Sequence, residues 1–239
     1  MEVRILDTMR TCQKEIEDRT LRARCTSRVN EVAAIVQKYR RTLGPHDFCP
    51  WSQDICNIPD IRKVIIDGTD EEFNTCTEEV TSKLPKLTSQ ILEGRTAKLS
   101  VLLPFGDRPD NVLLLATAWF KCSLCHLYPA IHGIDVLRHH CPLTWSPPSG
   151  KSAGEAAFSS YALGRGWCAE NSKFTFAKAE SNVARELILD CGEDPESITL
   201  AEINSKFHRF VFNENDELVA HNWEETVSSI GFVSVHCCG

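Results

Sequence analysis

The chain has 239 residues and a formal net charge of −7, and 42% of its residues are apolar and 25% charged. This composition is typical of a folded globular protein and excludes a wholly disordered chain. The acidic balance disfavours general polyanion binding. The first residues lack the apolar core of a signal peptide, and no apolar run reaches the roughly 18 residues of a membrane span. We therefore expect an intracellular protein, cytoplasmic or nuclear, without membrane association.

The N-terminal region is predicted to be helical, because residues 1–43 contain neither Pro nor Gly. Apolar residues follow helical spacing in two series, from Met9 to Ile16 and from Cys25 to Leu43. The two series do not share one heptad phase. We therefore predict two helices, or one helix with a break near Thr20 to Thr26, rather than a long coiled coil.

The middle of the chain is also predicted to be mainly helical. Thr69 and Glu72 form a capping box, which predicts a helix start. The apolar spacing that follows indicates helix on both sides of Pro85, resuming through Leu99 to Leu103. The dense apolar stretch Val112 to Phe120 is predicted to be a buried helix or strand.

The C-terminal third combines helices with a strand pair. An amphipathic helix is predicted over Lys178–Leu189, with Cys191-Gly192 at its C-terminal cap. Thr199 and Glu202 form a second capping box. Two strands are predicted around 207–212 and 217–223, joined across a polar turn.

The predicted fold is mainly α, with a small zinc-stapled α+β subdomain and a short C-terminal β-hairpin. The five predicted regions are an N-terminal helical arm (1–48), a helical domain (49–117), a zinc-binding knuckle (118–145), a Ser/Gly/Pro-rich linker or long loop (146–170) and a C-terminal α+β region (171–239).

The chain contains 12 cysteines, an unusually large share. Because no signal peptide is expected, metal binding is favoured over disulfides for a closely spaced group. Cys122 and Cys125 form C-x2-C, and His139 and Cys141 follow as H-x-C after a further thirteen residues. Three thiolates and one imidazole suit the tetrahedral preference of Zn²⁺, and four protein ligands leave no open position. The predicted zinc site is therefore structural.

Other ligand sets stay open at this stage. His140 is an alternative imidazole, although its adjacency to Cys141 makes a shared tetrahedral geometry harder. His126 and His132 are further candidates that fit the spacing less well. Without a metal, the same residues would be buried free cysteines beside a histidine at a helix end. The spacing favours zinc over this simpler interpretation.

The segments ATAWFKCSLCHLYP and IDVLRHHC resemble a zinc-knuckle-like segment of fungal F-box-associated proteins. IPDIRKVIIDGTDEEF, NWEETV and the region from KAESNVARELILDCGEDP to RFVF are also similar, so the resemblance extends in blocks over residues 28–227. It implies an intracellular protein with Cys122, Cys125, His139 and Cys141 as metal ligands. It also implies partner binding, including a role as a substrate receptor in ubiquitin ligases. The F-box itself is not visible.

Catalysis is disfavoured, because the sequence lacks serine-hydrolase, zinc-protease, P-loop and dinucleotide-binding motifs. A cysteine-dependent enzyme using Cys168 with His208 or His221 is the least favoured interpretation, since so many Cys and His offer such pairs by chance. A zinc-finger nucleic-acid-binding or transcription-related protein is the stronger alternative. Its predicted finger, however, carries only Lys121 and Arg138 to neutralise phosphates.

We therefore expect a non-catalytic protein that binds another protein of unknown identity. Aromatic side chains dominate many interfaces, so four tryptophans are candidate anchors. A core position is favoured for most of them. These tryptophans are Trp119, Trp145, Trp167 and Trp223.

Overall fold

The fold is given by a computed structural model. It describes residues 2–44, 47–104, 112–123, 130–139, 153–159, 174–206, 209–212, 218–221, 223–224 and 226–227. The helices are α1 (Glu2–Arg40), α2 (Ser52–Cys56), α3 (Pro59–Asp67), α4 (Asp70–Ser100), α5 (Gly133–Arg138), α6 (Ala153–Phe158), α7 (Lys178–Asp190) and α8 (Leu200–Lys206), with a 3₁₀ turn at Val112–Leu114. The strands are β1 (Trp119–Cys122), β2 (Ile131–His132), β3 (Phe174–Phe176), β4 (Arg209–Phe212) and β5 (Leu218–His221). Helix predominates in the described residues, which confirms the mainly α prediction.

The chain forms two compact units, each assembled from separate stretches of sequence. Unit 1 comprises Met1–Leu92 with His140–Trp167, and unit 2 comprises Glu93–His139 with Cys168–Gly239. The two units are defined by packing between distant segments, whereas the five predicted regions were defined by composition and motif spacing. The last part of α4 belongs to unit 2.

Helix α1 is continuous over 39 residues, so the predicted break near Thr20 to Thr26 is wrong. With 3.6 residues per turn, its two apolar series lie about 160° apart on the helix. The series beginning at Cys25 is buried in unit 1, while Met9 and Ile16 are 63% and 64% exposed. The two series can lie on one continuous helix despite their different phases, because the first series does not face the core of unit 1.

The core of unit 1 is built from buried aliphatic side chains of α1, α2, α3 and α4 together with Phe158 of α6. Helix α6 lies within the stretch predicted as a linker or long loop, and it is held by more than apolar contact. The Arg62 guanidinium pairs with Glu155 at 2.5 Å and lies over the Phe158 ring. Gly154 fits closely at this crossing, since a Cβ there would lie 3.0 Å from Ile66 Cγ2 and the isoleucine side chain would have to shift.

Both predicted capping boxes are confirmed. Thr69 N donates to Glu72 Oε2 at 2.7 Å, and Glu72 N donates to Thr69 Oγ1 at 3.2 Å. Thr199 and Glu202 make the equivalent pair before α8. Each box satisfies N–H groups that have no partner within the helix.

Helix α4 continues through Pro85, on an exposed position, so the predicted helix on both sides of this residue is confirmed. It ends at Ser100, which makes the predicted continuation to Leu103 wrong. Leu102 N donates to Leu99 O and Leu103 N to Ser100 O, and these tighter turns close the helix.

Unit 2 contains a three-stranded antiparallel sheet in the order β2-β1-β3. Trp119 lies opposite His132, and Cys122 lies opposite Phe174. The predicted apolar stretch before the motif divides into the 3₁₀ turn and β1. Strand β3 was not predicted. Its residues Phe174–Phe176 are few, and their partner strand lies far away in sequence.

Helices α7 and α8 cover the side of the sheet that carries Trp119. Their buried residues Ala184, Ile188 and Ile203 form one core with Trp119 and Trp223. Gly192 ends α7 with a φ of 77°, and Glu193 N donates to Ile188 O. This left-handed glycine confirms the predicted cap.

The C-terminal hairpin is also confirmed, because β4 pairs antiparallel with β5 from Arg209–His221 to Phe212–Leu218. Of the tryptophans, Trp119 and Trp223 are buried core residues, as favoured by the sequence. Trp145 and Trp167 lie outside the described residues. Among the described helices, none is both long enough and apolar enough to cross a membrane.

Candidate metal centre

Strand β1 positions Cys122, the first predicted metal ligand. Cys122 is 6% exposed and ends the strand, directly opposite Phe174 of β3. Directly opposite residues in an antiparallel pair project to the same side of the sheet. The Cys122 thiol and the Phe174 ring therefore lie on one face.

Helix α5 positions His139, the third predicted ligand. His139 is the C-terminal cap of α5, with its backbone N–H bonded to Val136 O, and its side chain is buried. Its imidazole packs edge-on against Phe174, with ring centroids 5.6 Å apart. Cys122 and His139 thus both lie beside the same phenylalanine. The fold brings these two predicted ligands to one buried neighbourhood.

The other ligands of the predicted site, Cys125 and Cys141, lie outside the described residues, as do His126 and the alternative ligand His140. Among the described residues alone, no group of three or more His, Cys, Asp or Glu side chains is arranged to hold a metal. The four-ligand zinc site therefore stays a prediction.

His132 lies on the opposite face of the sheet from Cys122. It is paired with Trp119, whose indole meets the His132 ring edge-on at 5.7 Å. Side chains alternate along a strand, so Trp119 and Cys122, three positions apart, project to opposite faces. His132 Nε2 is already 2.8 Å from Leu115 O. This geometry favours His139 over His132 as a partner of Cys122.

A polar cluster fixes α7 against the His132 side of the sheet. Lys121 Nζ pairs with the buried Glu180 carboxylate at 2.7 Å, and Ser181 Oγ donates to Thr117 O at 2.7 Å. Lys121 is half-exposed, so its ammonium reaches Glu180 from the rim of the unit. The ion pair compensates one oxygen of the buried carboxylate, and both contacts align α7 with β1. The role of this polar cluster is therefore structural: it holds α7 against the sheet.

The cysteines described outside the motif have the character of ordinary free thiols. Cys12, Cys25, Cys49, Cys56, Cys76 and Cys191 are all unbridged. Burial raises the pKa of Cys56 to about 12, helped by the nearby Asp54 carboxylate, so its reactive thiolate is not populated at neutral pH. Cys168 and His208, from the enzyme interpretation, lie outside the described residues, and His221 ends β5.

Compared with known proteins, the chain matches no family model, no curated protein and no solved structure.

Phe174 is the residue of this neighbourhood that the sequence analysis missed. Phe174 contacts both predicted ligands: it pairs with Cys122 across the two strands, and its ring packs against the His139 imidazole. The only sequence signal was the alternating aromatic pair Phe174 and Phe176, which is too short to separate a strand from a loop.

Replacing His132 with glutamine is expected to flatten the dependence of stability on pH between 7 and 5. Burial lowers the pKa of His132 below 6.5, and the hydrogen bond with Leu115 O and the Asp135 charge offset this in part. The unfolded chain therefore takes up a proton more readily, and the free energy of unfolding falls as pH drops below 6.5. One such group contributes at most about 1.4 kcal/mol per pH unit.

Urea denaturation at pH 5, 6 and 7 measures this effect, because glutamine keeps an amide donor for Leu115 O but does not titrate. The difference between the two stability curves isolates His132 from other titrating groups. Parallel curves for the native protein and His132→Gln would contradict the assignment.

Proposed function

We propose that this protein is a non-catalytic protein-interaction module in which a structural Zn²⁺ braces unit 2. Cys122, Cys125, His139 and Cys141 are the proposed ligands. The observation that carries the proposal is the convergence of Cys122 and His139 on Phe174. These two ligands come from different motif pairs, and a closed metal site requires such pairs to meet.

The chemistry of the ligand set fits a metal that stabilises a fold. Thiolate and imidazole are borderline-soft donors that suit Zn²⁺, and four of them complete a tetrahedron without a bound water. Cys122 ends a strand and His139 ends a helix, so a shared ion would tie β1 to the end of α5. Such a bond contributes directly to folding, since the unfolded chain holds no preformed site.

Metal analysis of the native full-length protein tests the zinc proposal. We expect about one zinc ion per chain, lost in Cys125→Ser because one of four ligands is removed. Cys191→Ser is the matched control, since Cys191 is an exposed free thiol at the end of α7. The pair His139→Asn and His140→Asn identifies the imidazole ligand.

Two results would overturn the zinc proposal. The first is native protein that carries no stoichiometric zinc after expression in zinc-supplemented medium. The second is equal zinc loss in Cys125→Ser and Cys191→Ser, which would indicate nonspecific thiol binding.

The interaction role is supported by the resemblance to fungal F-box-associated proteins and by a surface groove in unit 1, which is described below. The ubiquitin-ligase version of this role is the more specific proposal. Co-purification of the full chain with a ubiquitin-ligase adaptor supports that version, and consistent failure to bind any adaptor would restrict the proposal to partner binding in general.

A further inference from the structure

An open groove of about 570 Å³ runs along the surface of unit 1 between α3 and α4. Its floor is apolar. The groove is lined by Ile58, Asp60, Ile61, Val64, Glu71, Glu72, Thr75, Cys76, Glu79, Val80, Lys83 and Leu87. Its volume falls within the range of about 300–1,000 Å³ that is typical of ligand sites.

The residues that the structure describes leave the apolar floor incompletely covered. Ile58, Val64, Cys76 and Leu87 pack against the core of unit 1 but are only half-buried. The floor residues Cys76 and Leu87 lie about 16 Å apart along α4, at 1.5 Å per residue. An uncovered floor of this length suits a segment of polypeptide better than a compact small molecule.

The rim of the groove is acidic. Asp60, Glu71, Glu72 and Glu79 contribute four carboxylates, against the single ammonium of Lys83. Lys83 already pairs with Glu79 at 2.7 Å. Glu72 accepts a hydrogen bond from Thr69 N in the capping box of α4. This bond explains the position of Glu72, but its negative charge remains on the rim. An occupant of complementary charge is therefore basic.

A helix is the form of polypeptide that fits this surface. Within its described residues, unit 1 contains only helices, so it offers no strand edge for β-augmentation. An amphipathic helix laid in a groove uses apolar anchors at i, i+3 or i+4, and i+7. Glu71 and Glu79 are about 12 Å apart along α4, which corresponds to basic residues seven or eight positions apart on a parallel or antiparallel helix.

We propose that this groove binds a basic amphipathic helix of a partner protein, with apolar anchors on the Ile58–Leu87 floor and Lys or Arg facing the acidic rim. The inference rests on the proposed protein-interaction function and names the surface and the chemistry of its partner. The first half of α1 from a second copy fits less well, because Glu2–Arg22 contains five basic and five acidic residues.

A displayed library of 16-residue helical peptides tests the proposal with the full-length protein. The peptides carry leucine at i, i+4, i+7 and i+11, and their flanking positions vary among Lys, Arg, Glu, Gln and Ser. We expect selected clones to be enriched in Lys or Arg at positions seven or eight apart. Their affinity should fall with rising salt, since rim charges are screened.

Two substitutions in α4 assign the binding site. Glu71→Lys reverses a rim charge and is expected to weaken the selected peptides at least about fivefold. Glu78→Lys is the matched control, because Glu78 is exposed on the same helix but does not line the groove. It should change affinity less than about twofold. Leu87→Gln removes a floor contact and should also weaken binding, with circular dichroism checking the fold.

Three outcomes would overturn the groove proposal. They are equal enrichment of acidic and basic clones, equal effects of Glu71→Lys and Glu78→Lys, and a dimer in sedimentation that Leu87→Gln dissociates. Clones that bind but ignore both groove substitutions would place an interaction surface elsewhere. That result removes the groove while leaving the interaction function intact, and metal content is measured independently of either.

Discussion

Replacing Arg28 with methionine is expected to lower the free energy of unfolding by about 3–5 kcal/mol. Arg28 is a buried residue of α1 whose guanidinium reaches the end of α3. It donates to Val64 O at 3.0 Å, Ile65 O at 3.3 Å and Gly68 O at 2.8 Å. These carbonyls lie at the end of α3, where the last C=O groups of a helix lack intrahelical partners. Val64 O also accepts from Gly68 N, and Ile65 O from Cys25 Sγ. Methionine keeps much of the apolar stem but removes all three bonds from the charged guanidinium, and Gly68 O loses the shortest of them.

The remaining contacts of Arg28 contribute less to this loss. Its pair with Asp70 is 2.7 Å long, but the Asp70 carboxylate is 90% exposed and solvent screens the attraction. The guanidinium also lies 5.0 Å from the centre of the Phe73 ring. Arg28 therefore joins α1, the end of α3 and the start of α4, and the buried carbonyls dominate the energy.

Urea denaturation of the purified protein measures the Arg28 effect. Arg22→Met is the matched control on an exposed position of the same helix, where a change within about 0.5 kcal/mol is expected. Arg28→Lys should give an intermediate loss, because one ammonium cannot reproduce the planar fork of the guanidinium. A loss in Arg28→Met no larger than in Arg22→Met would refute the assigned role.

Trp119→Ala is expected to lower the free energy of unfolding by about 3–5 kcal/mol, chiefly through the cavity left in unit 2. The indole is 1% exposed and packs among Ala184, Ile188 and Trp223. Its Nε1 donates to Ala116 O at 2.9 Å, so truncation also removes a buried hydrogen bond. The indole also contacts the His132 ring edge-on, and truncation removes this ring contact too.

Chemical denaturation followed by far-ultraviolet circular dichroism measures this loss without relying on tryptophan fluorescence. Leu189→Ala is the control, since Leu189 is a 57% exposed apolar residue on α7. It should cost less than about 0.5 kcal/mol. Trp119→Phe should fall between the two. Comparable losses in Trp119→Ala and Leu189→Ala would show that the indole does not support the core.

Several local features were predictable because their signals lie within a few residues. Thr69 and Glu72 are three positions apart, and each bonds the backbone of the other. Gly192 takes a left-handed conformation that glycine adopts readily. Residues close in sequence determine such helix ends, largely independently of the surrounding tertiary structure.

The path of α1 was less predictable, because spacing alone does not say whether an apolar residue has a partner. Met9 and Ile16 form a regular series, and yet both are exposed. The mismatch in heptad phase predicts a break only if both apolar series face one core. The break is unnecessary when one series faces solvent.

The candidate metal site was likewise predictable only in part. Cys122 and His139 were identified from their spacing, but spacing does not show which element lies between them. Phe174 reaches Cys122 only through the register of β1 with β3, and register is set by tertiary packing. The choice between His139 and His132 likewise depends on which face of the sheet each side chain occupies.

The sequence by itself determined the helical class, the helix caps, the terminal hairpin and the residues with metal-ligand chemistry, since these depend on composition and near neighbours. The tertiary structure alone decided the continuity of α1, the strand β3 and the acidic groove. It also decided the role of Arg28, whose bond to Gly68 joins residues 40 positions apart. Contacts of that range depend on how whole elements pack, because closing a long loop is favourable only when many contacts form together.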